Sequence, residues 1–382
     1  MRTVKSTRNP KAGSRKARDL MPRRQWPVNL EDFEIAAKRR LTPMAFAYIA
    51  GGAGDERTMR RNTEAFGGIR LKPRVLVDVS KVDPSVTVLG QSLPHPILLA
   101  PTAYHKLAHR EGELATVSGA AAASAMLVVS SYATTAIEQI ARAAKQALWF
   151  QLYVHPDRGF TRDLVARASA AGCRAICVTV DSPVFGSRNR ESRTRFRLPR
   201  GVSTEHFKTL GGGAPWAGHV SDDGVYSPII DASLQWKDIA WVCTLTDLPV
   251  ILKGILTPED ARLAIEHGAA GVIVSNHGGR NLDTVPATIE ALPGVAAAVD
   301  GRITVLLDGG IRRGTDILKA IALGAKAVLI GRPYVWGLAV GGAAGVTEVV
   351  RILRDELRAA MALCGVPDIA RITRDVIWHD TI

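Results

Sequence analysis

The 382-residue chain predicts a (β/α)8 barrel with helices in front of it and one long loop within it. Three observations carry that expectation. From residue 96 onward, eight apolar runs alternate with segments punctuated as helices. The runs are hydrophobic throughout, as strands covered on both faces are, and polar residues collect at their carboxyl ends. Buried strands separated by helices imply a parallel sheet, and eight such units close into a barrel; an open doubly wound sheet is the alternative topology.

Taken in order, residues 1–28 read as a basic extension outside the fold, and residues 29–382 as the barrel domain. The first 27 residues hold nine Lys/Arg against one Asp, so most of the net charge of +13 belongs to this tail. A solvated, disordered extension is the expectation, and no nucleic-acid partner is expected. No apolar core follows the basic run as in a secretory signal, and no membrane span is expected. Three helical segments come next: "NLEDFEIAAKRRL", "TPMAFAYIAGG" and "DERTMRRNTEAFG". The strand candidates are "PILLAP", "LVVSS", "LWFQLYV", "AICVTVD", "PVILKG", "GVIVSNH", "TVLLDGG" and "AVLIGRP". In "TPEDARLAIEHG", Thr257 suits a helix N-cap, Pro258 the first turn, Glu259 and Asp260 the positive end of the dipole, and Gly268 the stop. "GTDILKAIALG" repeats the pattern with Gly324. Residues 200–235, rich in Gly and polar residues, form a gap between the fourth and fifth strands long enough to be a lid or a disordered insert.

Four cysteines are few for this length. Cys173 and Cys177 lack a second ligand pair, so reduced structural thiols in a reducing compartment are expected, and no metal site.

In a barrel, the strands' carboxyl ends converge on one face. Asp181 and His277 there make a base and its orienting carboxylate, because a histidine needs one nitrogen held to present the other in the right tautomer. Arg280 and Arg188 reach the same mouth and suit an anionic, bidentate substrate group. Gly310 and Arg312 in "DGGIRRGTD", with Gly331 and Arg332 in "GRP", stand where barrels bind phosphate. Lys253 ends an apolar strand, either as a Schiff-base lysine or as a fixed charge; the residues alone leave both open.

The stretches "SNHGGRNLD", "VILKGILTPEDARLAIEHGAAG", "DGGIRRGTDILKAIALGA" and "APTAYHKLAHREGE" closely resemble the FMN-dependent (S)-2-hydroxy-acid oxidase and dehydrogenase family, from about residue 29 to about 365. The resemblance implies an FMN cofactor, His277 as catalytic base and Asp181 as its partner. It implies that Arg188, Arg280 and Tyr48 bind the substrate carboxylate and that Tyr153 hydrogen-bonds the substrate hydroxyl. It makes Lys253 an electrostatic partner of the reduced flavin. Ala103, Ser130, Gln151, Thr179 and Ser275 match positions at the ring and ribityl chain, and Asp308, Gly310, Arg312, Gly331 and Arg332 positions around the ribityl chain and phosphate. Tyr132 and Phe185 stand at the substrate's side-chain end, where lactate-, glycolate- and mandelate-like acids all remain open. Asn281, where many members have Gln, is expected to lie just outside the reacting groups with a small effect. The expected reaction is oxidation of an (S)-2-hydroxy acid to the 2-oxo acid with O2 as acceptor, giving H2O2. The alternatives are a dehydrogenase with another acceptor, or another FMN- or phosphate-binding barrel enzyme. A homo-oligomer, a tetramer, is implied by the resemblance only, and a cytoplasmic location is expected.

Overall fold

The computed structural model describes residues 26–210, 226–227 and 229–378. Residues 1–25 of the basic extension, and residues 211–225 and 228 of the long loop, lie outside the described residues. Three helices open the fold: α1 (Leu30–Arg40), α2 (Pro43–Ala50) and α3 (Arg57–Gly67). Asn29 and Thr42 cap the first two, their side-chain oxygens accepting from Asp32 N at 2.9 Å and Ala45 N at 3.2 Å. An unpredicted hairpin follows, β1 (Val86–Val88) and β2 (Gln91–Leu93), turned by Leu89 and Gly90, both at positive φ.

The barrel then runs β3 (Ile97–Leu99), α4 (Glu113–Ala122), β4 (Met126–Ser130), α5 (Ile137–Ala143), β5 (Leu148–Leu152), α6 (Arg158–Ala170) and β6 (Ile176–Thr179). The short α7 (Asn189–Arg193) and α8 (Trp236–Cys243) fill the long connection to β7 (Val250–Ile255). The last turns are α9 (Pro258–Glu266), β8 (Gly271–Val274), α10 (Thr288–Val299), β9 (Thr304–Asp308), α11 (Gly314–Ala322), β10 (Ala327–Ile330) and α12 (Arg332–Leu363). The eight strands β3 to β10 close in sequence order, with β10 pairing β3, and all pairs are parallel. The eight expected strands are these eight, and the closed ring excludes the open sheet.

Successive residues of a strand face opposite sides. One row, with Ile97, Leu127, Phe150, Leu252 and Val272, packs outward against the helices. The other, with Leu98, Val128, Trp149, Cys177, Ile251, Ile273, Leu306 and Leu329, fills the barrel interior. Val86, Val88 and Leu93 of the hairpin join that interior cluster, so β1 and β2 plug the barrel's amino-terminal end.

Thr257 caps α9 as expected, accepting from Asp260 N at 3.2 Å, and Gly268 and Gly324 take positive φ just past their helices. Among the described residues, α12 is the one helix long and apolar enough to cross a membrane. It is broken at Gly341 and Gly342, and 61% of its apolar window is buried inside the protein.

Candidate active site

The inward row continues past the hydrophobic interior to the strands' carboxyl ends. Two residues beyond Val128 comes Ser130; beyond Trp149 come Gln151 and Tyr153; beyond Cys177 come Thr179 and Asp181. Ile251 is followed in register by Lys253, Ile273 by Ser275 and His277, Leu306 by Asp308, and Leu329 by Gly331. The alternation that packs the barrel therefore aims these polar groups at one mouth.

A cavity opens there with about 1180 Å³ of empty space, its open mouth included. Tyr48, Ala103, Ser130, Tyr132, Gln151, Tyr153, Thr179, Phe185, Arg188, Lys253, His277, Arg280, Asp308, Gly310, Arg312, Gly331 and Arg332 all line it. Asp181 and Ser275 do not. Ser275, expected to contact the cofactor, is fully buried behind the wall, where its hydroxyl accepts from Lys253 Nζ at 2.9 Å and from His277 N at 3.1 Å. Asp181 stands behind the imidazole, its Oδ1 2.8 Å from His277 Nδ1.

His277 is held in an unusual way. Its φ is +57°, a left-handed conformation that costs a residue with a side chain about 1–3 kcal/mol and clusters at functional sites. The Asp181 contact puts the proton on Nδ1 and leaves the Nε2 lone pair toward the cavity. Burial pushes the His277 pKa below its ordinary value; the Asp181 charge opposes this and Lys253 adds to it. For Asp181, burial works to raise the pKa, but the contacts with His277 and the charge of Lys253 outweigh it, and the carboxyl lies below its usual range. The pair is thus neutral imidazole beside ionised carboxylate.

Asn281 stands just outside the cavity, on the partner of the base. Its amide donates to Asp181 O at 2.8 Å, Asp181 Oδ1 at 3.1 Å and Ser182 Oγ at 2.7 Å, so it fixes the carboxylate that fixes the base.

Arg280 donates through Nη1 to the carbonyls of Tyr48 at 2.6 Å and Gly51 at 2.8 Å, and its guanidinium lies 5.0 Å from the Tyr48 ring centroid. Arg188, just before α7, donates through Nε to Arg280 O at 3.3 Å. Glu191, unnoticed in the sequence, joins the two: its Oε1 lies 3.2 Å from Arg280 Nη2 and 3.5 Å from Arg188 Nη1. The tyrosines Tyr48, Tyr104, Tyr132 and Tyr153 form a chain of ring contacts across the mouth, and burial raises the hydroxyl pKa of each, so all four are neutral donors. Tyr104 was also missed, although "PTAY" places it two residues beyond the inward-facing Thr102.

Lys253 Nζ lies 3.2 Å from Asp308 Oδ2. Burial alone works to lower its pKa, but Asp308 and Asp181 outweigh that and hold it above the ordinary lysine value. A Schiff-base lysine needs a neutral amine, so the fixed charge is the reading that fits.

At the opposite end, Arg312 lies 4.9 Å from the Trp336 ring centroid, and Arg332 donates to Gly278 O at 2.9 Å and Gly51 O at 2.7 Å. Burial, followed by the nearby charges of Arg280 and Arg312, brings the Arg332 pKa down to about 9. Among the described residues no carboxylate forms an ion pair with either arginine, and two buried cations so placed mark a site for an anion.

Comparison with known proteins agrees with this geometry. A family model described as FMN-dependent dehydrogenase matches residues 37–379. The chain belongs to that family. It is 50% identical to an L-lactate oxidase of Nostoc sp., over 89% of this chain and 94% of that protein, and 47% identical to a glycolate oxidase of Spinacia oleracea, over 92% and 96%. A crystal structure of mandelate oxidase with (S)-2-phenylpropionate superposes with a TM-score of 0.83 at 40% identity, covering 91% of this chain and 98% of that one.

The cofactor of the FMN-dependent dehydrogenase family fits the residues present. Gln151 Oε1 is taken up by Ser130 Oγ and Ser131 N, each at 3.2 Å, which turns its Nε2 away from them; that nitrogen, Asp308 Oδ1 and Arg332 Nε are buried without hydrogen-bond partners among the described residues. Buried polar atoms are rarely left so, and a polar ligand would satisfy them. Gly309 and Gly310 take φ of +91° and +89°, and a Cβ on Gly310 would sit 1.9 Å from Asn62 O. Only glycine allows the backbone this approach beside the arginine pair.

Proposed function

We propose that the enzyme oxidises a small (S)-2-hydroxy acid to the 2-oxo acid and passes the electrons to O2. The carrying observation is His277: its Nδ1 is committed to Asp181, and no protein group among the described residues hydrogen-bonds Nε2, which faces the cavity beside two guanidiniums. Arg188 and Arg280 would hold the substrate carboxylate, with Tyr48 completing the clamp. Tyr153, a neutral donor, would hold the substrate hydroxyl and orient it toward His277 Nε2, which accepts a proton from the substrate. FMN, when bound, supplies the two-electron acceptor. Gln151, Ser130, Thr179 and Ala103 would flank its ring, Lys253 would provide positive charge beside it, and Asp308, Gly310, Arg312, Gly331 and Arg332 would hold its ribityl phosphate. Ser275 would act through Lys253 and His277.

A small side chain is favoured at the other end of the substrate. Tyr132 is stacked by Phe207, with ring centroids 5.2 Å apart and planes at 17°, and Phe207 is in turn packed on Phe160. His206 pins this backing, donating to Ser131 O at 3.0 Å and accepting from Ile137 N at 2.9 Å. A wall held from behind has little room to retreat, so L-lactate or glycolate suits it better than (S)-mandelate. The 50% identity to an L-lactate oxidase points the same way.

The test is anaerobic mixing of the holoenzyme with each of the three acids, followed by air. Bleaching of the visible flavin band by lactate or glycolate, with recovery and peroxide in air, is the expected result. Bleaching without recovery in air would replace O2 by another acceptor, and no bleaching would overturn the reading.

A homotetramer in the cytoplasm completes the proposal. Val75 and Leu76, 81% and 103% exposed, give an apolar arm for contact between copies, and the four cysteines are free. A monomer by light scattering would remove the first part, and fractionation of cells would check the second.

A further inference from the structure

Helix α3 turns a partly polar face to the barrel. Its buried stripe, spaced by four, is Thr58, Asn62 and Phe66, so two of the three positions that meet the protein carry hydrogen-bonding groups. Thr58 Oγ1 donates to Val285 O at 3.2 Å and accepts from Val285 N at 3.0 Å. Asn62 and Asn276 exchange two hydrogen bonds, Nδ2 to Oδ1 in each direction at 2.8 Å, and Asn62 Oδ1 also accepts from Thr288 N at 3.2 Å. The stripe therefore fastens the segment after β8, the one that carries His277.

That segment needs fastening. His277, Gly278 and Gly279 all take left-handed φ, +57°, +65° and +70°. Glycine adopts this conformation freely; a residue with a side chain keeps it only where its surroundings over-determine it. Asn276 supplies the constraint. Its carbonyl and its Oδ1 both accept from Gly279 N, at 2.9 and 3.1 Å, which closes the backbone around His277 and Gly278. Its Nδ2 donates to Pro286 O at 3.1 Å as well as to Asn62. Both protons and both acceptor positions of this buried amide are used, and the amide of Asn62 answers one of each.

We propose that Asn62 is a positioning residue for the base: through the side chain of Asn276 it locks the left-handed turn that aims His277 Nε2 into the cavity. The inference rests on the 2-hydroxy-acid reading, in which that nitrogen takes the substrate proton. Arg280 is fastened separately, to Tyr48 O and Gly51 O, so the lock governs the base and not the carboxylate clamp.

In Asn62→Ala, anaerobic flavin bleaching at saturating L-lactate or glycolate should slow about 10- to 100-fold, the loss that follows a small misplacement of a reacting group. Flavin content should hold, because the Asn62 carbonyl that stands against Gly310 is unaltered. The dissociation constant of propionate, read from its perturbation of the flavin spectrum, should hold as well. The decisive measurement is a double-mutant cycle. If Asn62 acts through His277, the losses in Asn62→Ala and His277→Ala do not multiply in the double variant, whereas a general structural role multiplies them.

Losses that multiply overturn the proposal, as does unchanged bleaching in Asn62→Ala or a propionate affinity that falls as far as the rate. Hydrogen exchange needs no variant to fold: in the wild-type holoenzyme Gly279 N and Thr288 N should be protected, and exchange across residues 276–288 as fast as in an unfolded peptide overturns the proposal too. If wild-type flavin is bleached by no 2-hydroxy acid, the proposed function fails first; if it is bleached and the losses multiply, only the role of Asn62 fails.

Discussion

The two ends of the cavity are built differently. At the reaction end, side chains are held by other side chains: His277 by Asp181, Asp181 by Asn281, Arg188 and Arg280 by Glu191, and Tyr132 by Phe207. At the anchoring end, the shape is made by backbone, with Gly309 and Gly310 at positive φ against α3 and two arginines fastened to carbonyls. A site of side chains can be retuned one group at a time. A site of backbone fails when its chain is crowded.

The sharpest way to break this contrast is His277→Ala. Loss of a positioned base should cost about 10³-fold or more in the anaerobic rate of flavin bleaching, with bound flavin unchanged. A variant that lost its flavin instead would show that the two ends are not separable. Next is Arg280→Lys, which cannot reproduce the fork to Tyr48 O, Gly51 O and Glu191; kcat/KM should fall about 100-fold with the flavin retained. At the other end, Gly310→Ala places a methyl 1.9 Å from the Asn62 carbonyl and strains the backbone. It should purify with little flavin and melt several degrees lower, a loss of about 2 kcal/mol or more. Equal flavin content in this variant and wild type would contradict the backbone account.

The pH dependence separates the ends more gently. His277 is buried with its pKa below the ordinary 6.5, so its base form persists below that pH, and the acid limb of kcat/KM should lie under 6.5. The sign for stability follows. The unfolded chain takes up this proton first, so the contribution from His277 falls as pH drops from about 6.5 toward the folded pKa and is restored as pH rises. In His277→Ala this component of the melting profile should vanish while flavin binding is kept. The smallest effect is expected for Asn281→Ala, which removes a donor from Asp181 without touching the base: about a tenfold loss in kcat and an upward shift of the acid limb, because the carboxylate that loses a donor leaves more of its charge to the imidazole.

Much of this was legible because of register. Each strand run is apolar enough to recognise, and the polar residues at its end lie on the parity that faces inward, so His277, Lys253, Asp308 and Gln151 declared themselves. The β1–β2 hairpin did not, because three-residue strands show no periodicity. Glu191 lies among arginines in "RNRESRTRF" and reads as one member of a solvated charge run; only folding brings Arg280 to it. Asn62 hides similarly in a basic helix, yet it is buried and exchanges two 2.8 Å hydrogen bonds with Asn276, next to the base. Asn281 stands one contact away from the base, on Asp181, a neighbour that sequence distance from His277 does not reveal.

The two-residue repeat that continues the barrel interior into the mouth has a consequence for how such a chain can change its length. Adding or removing one residue inside a strand would turn every side chain beyond it to the opposite face, sending a lysine or a glutamine out among the helices and a hydrophobic residue into the site. Adding two would restore the facing but lift the group by roughly 6–7 Å, past anything it now reaches. The strands therefore behave as a ratchet, in which length polymorphism is confined to the helices and connections, and natural variation in this site must come by substitution at fixed positions.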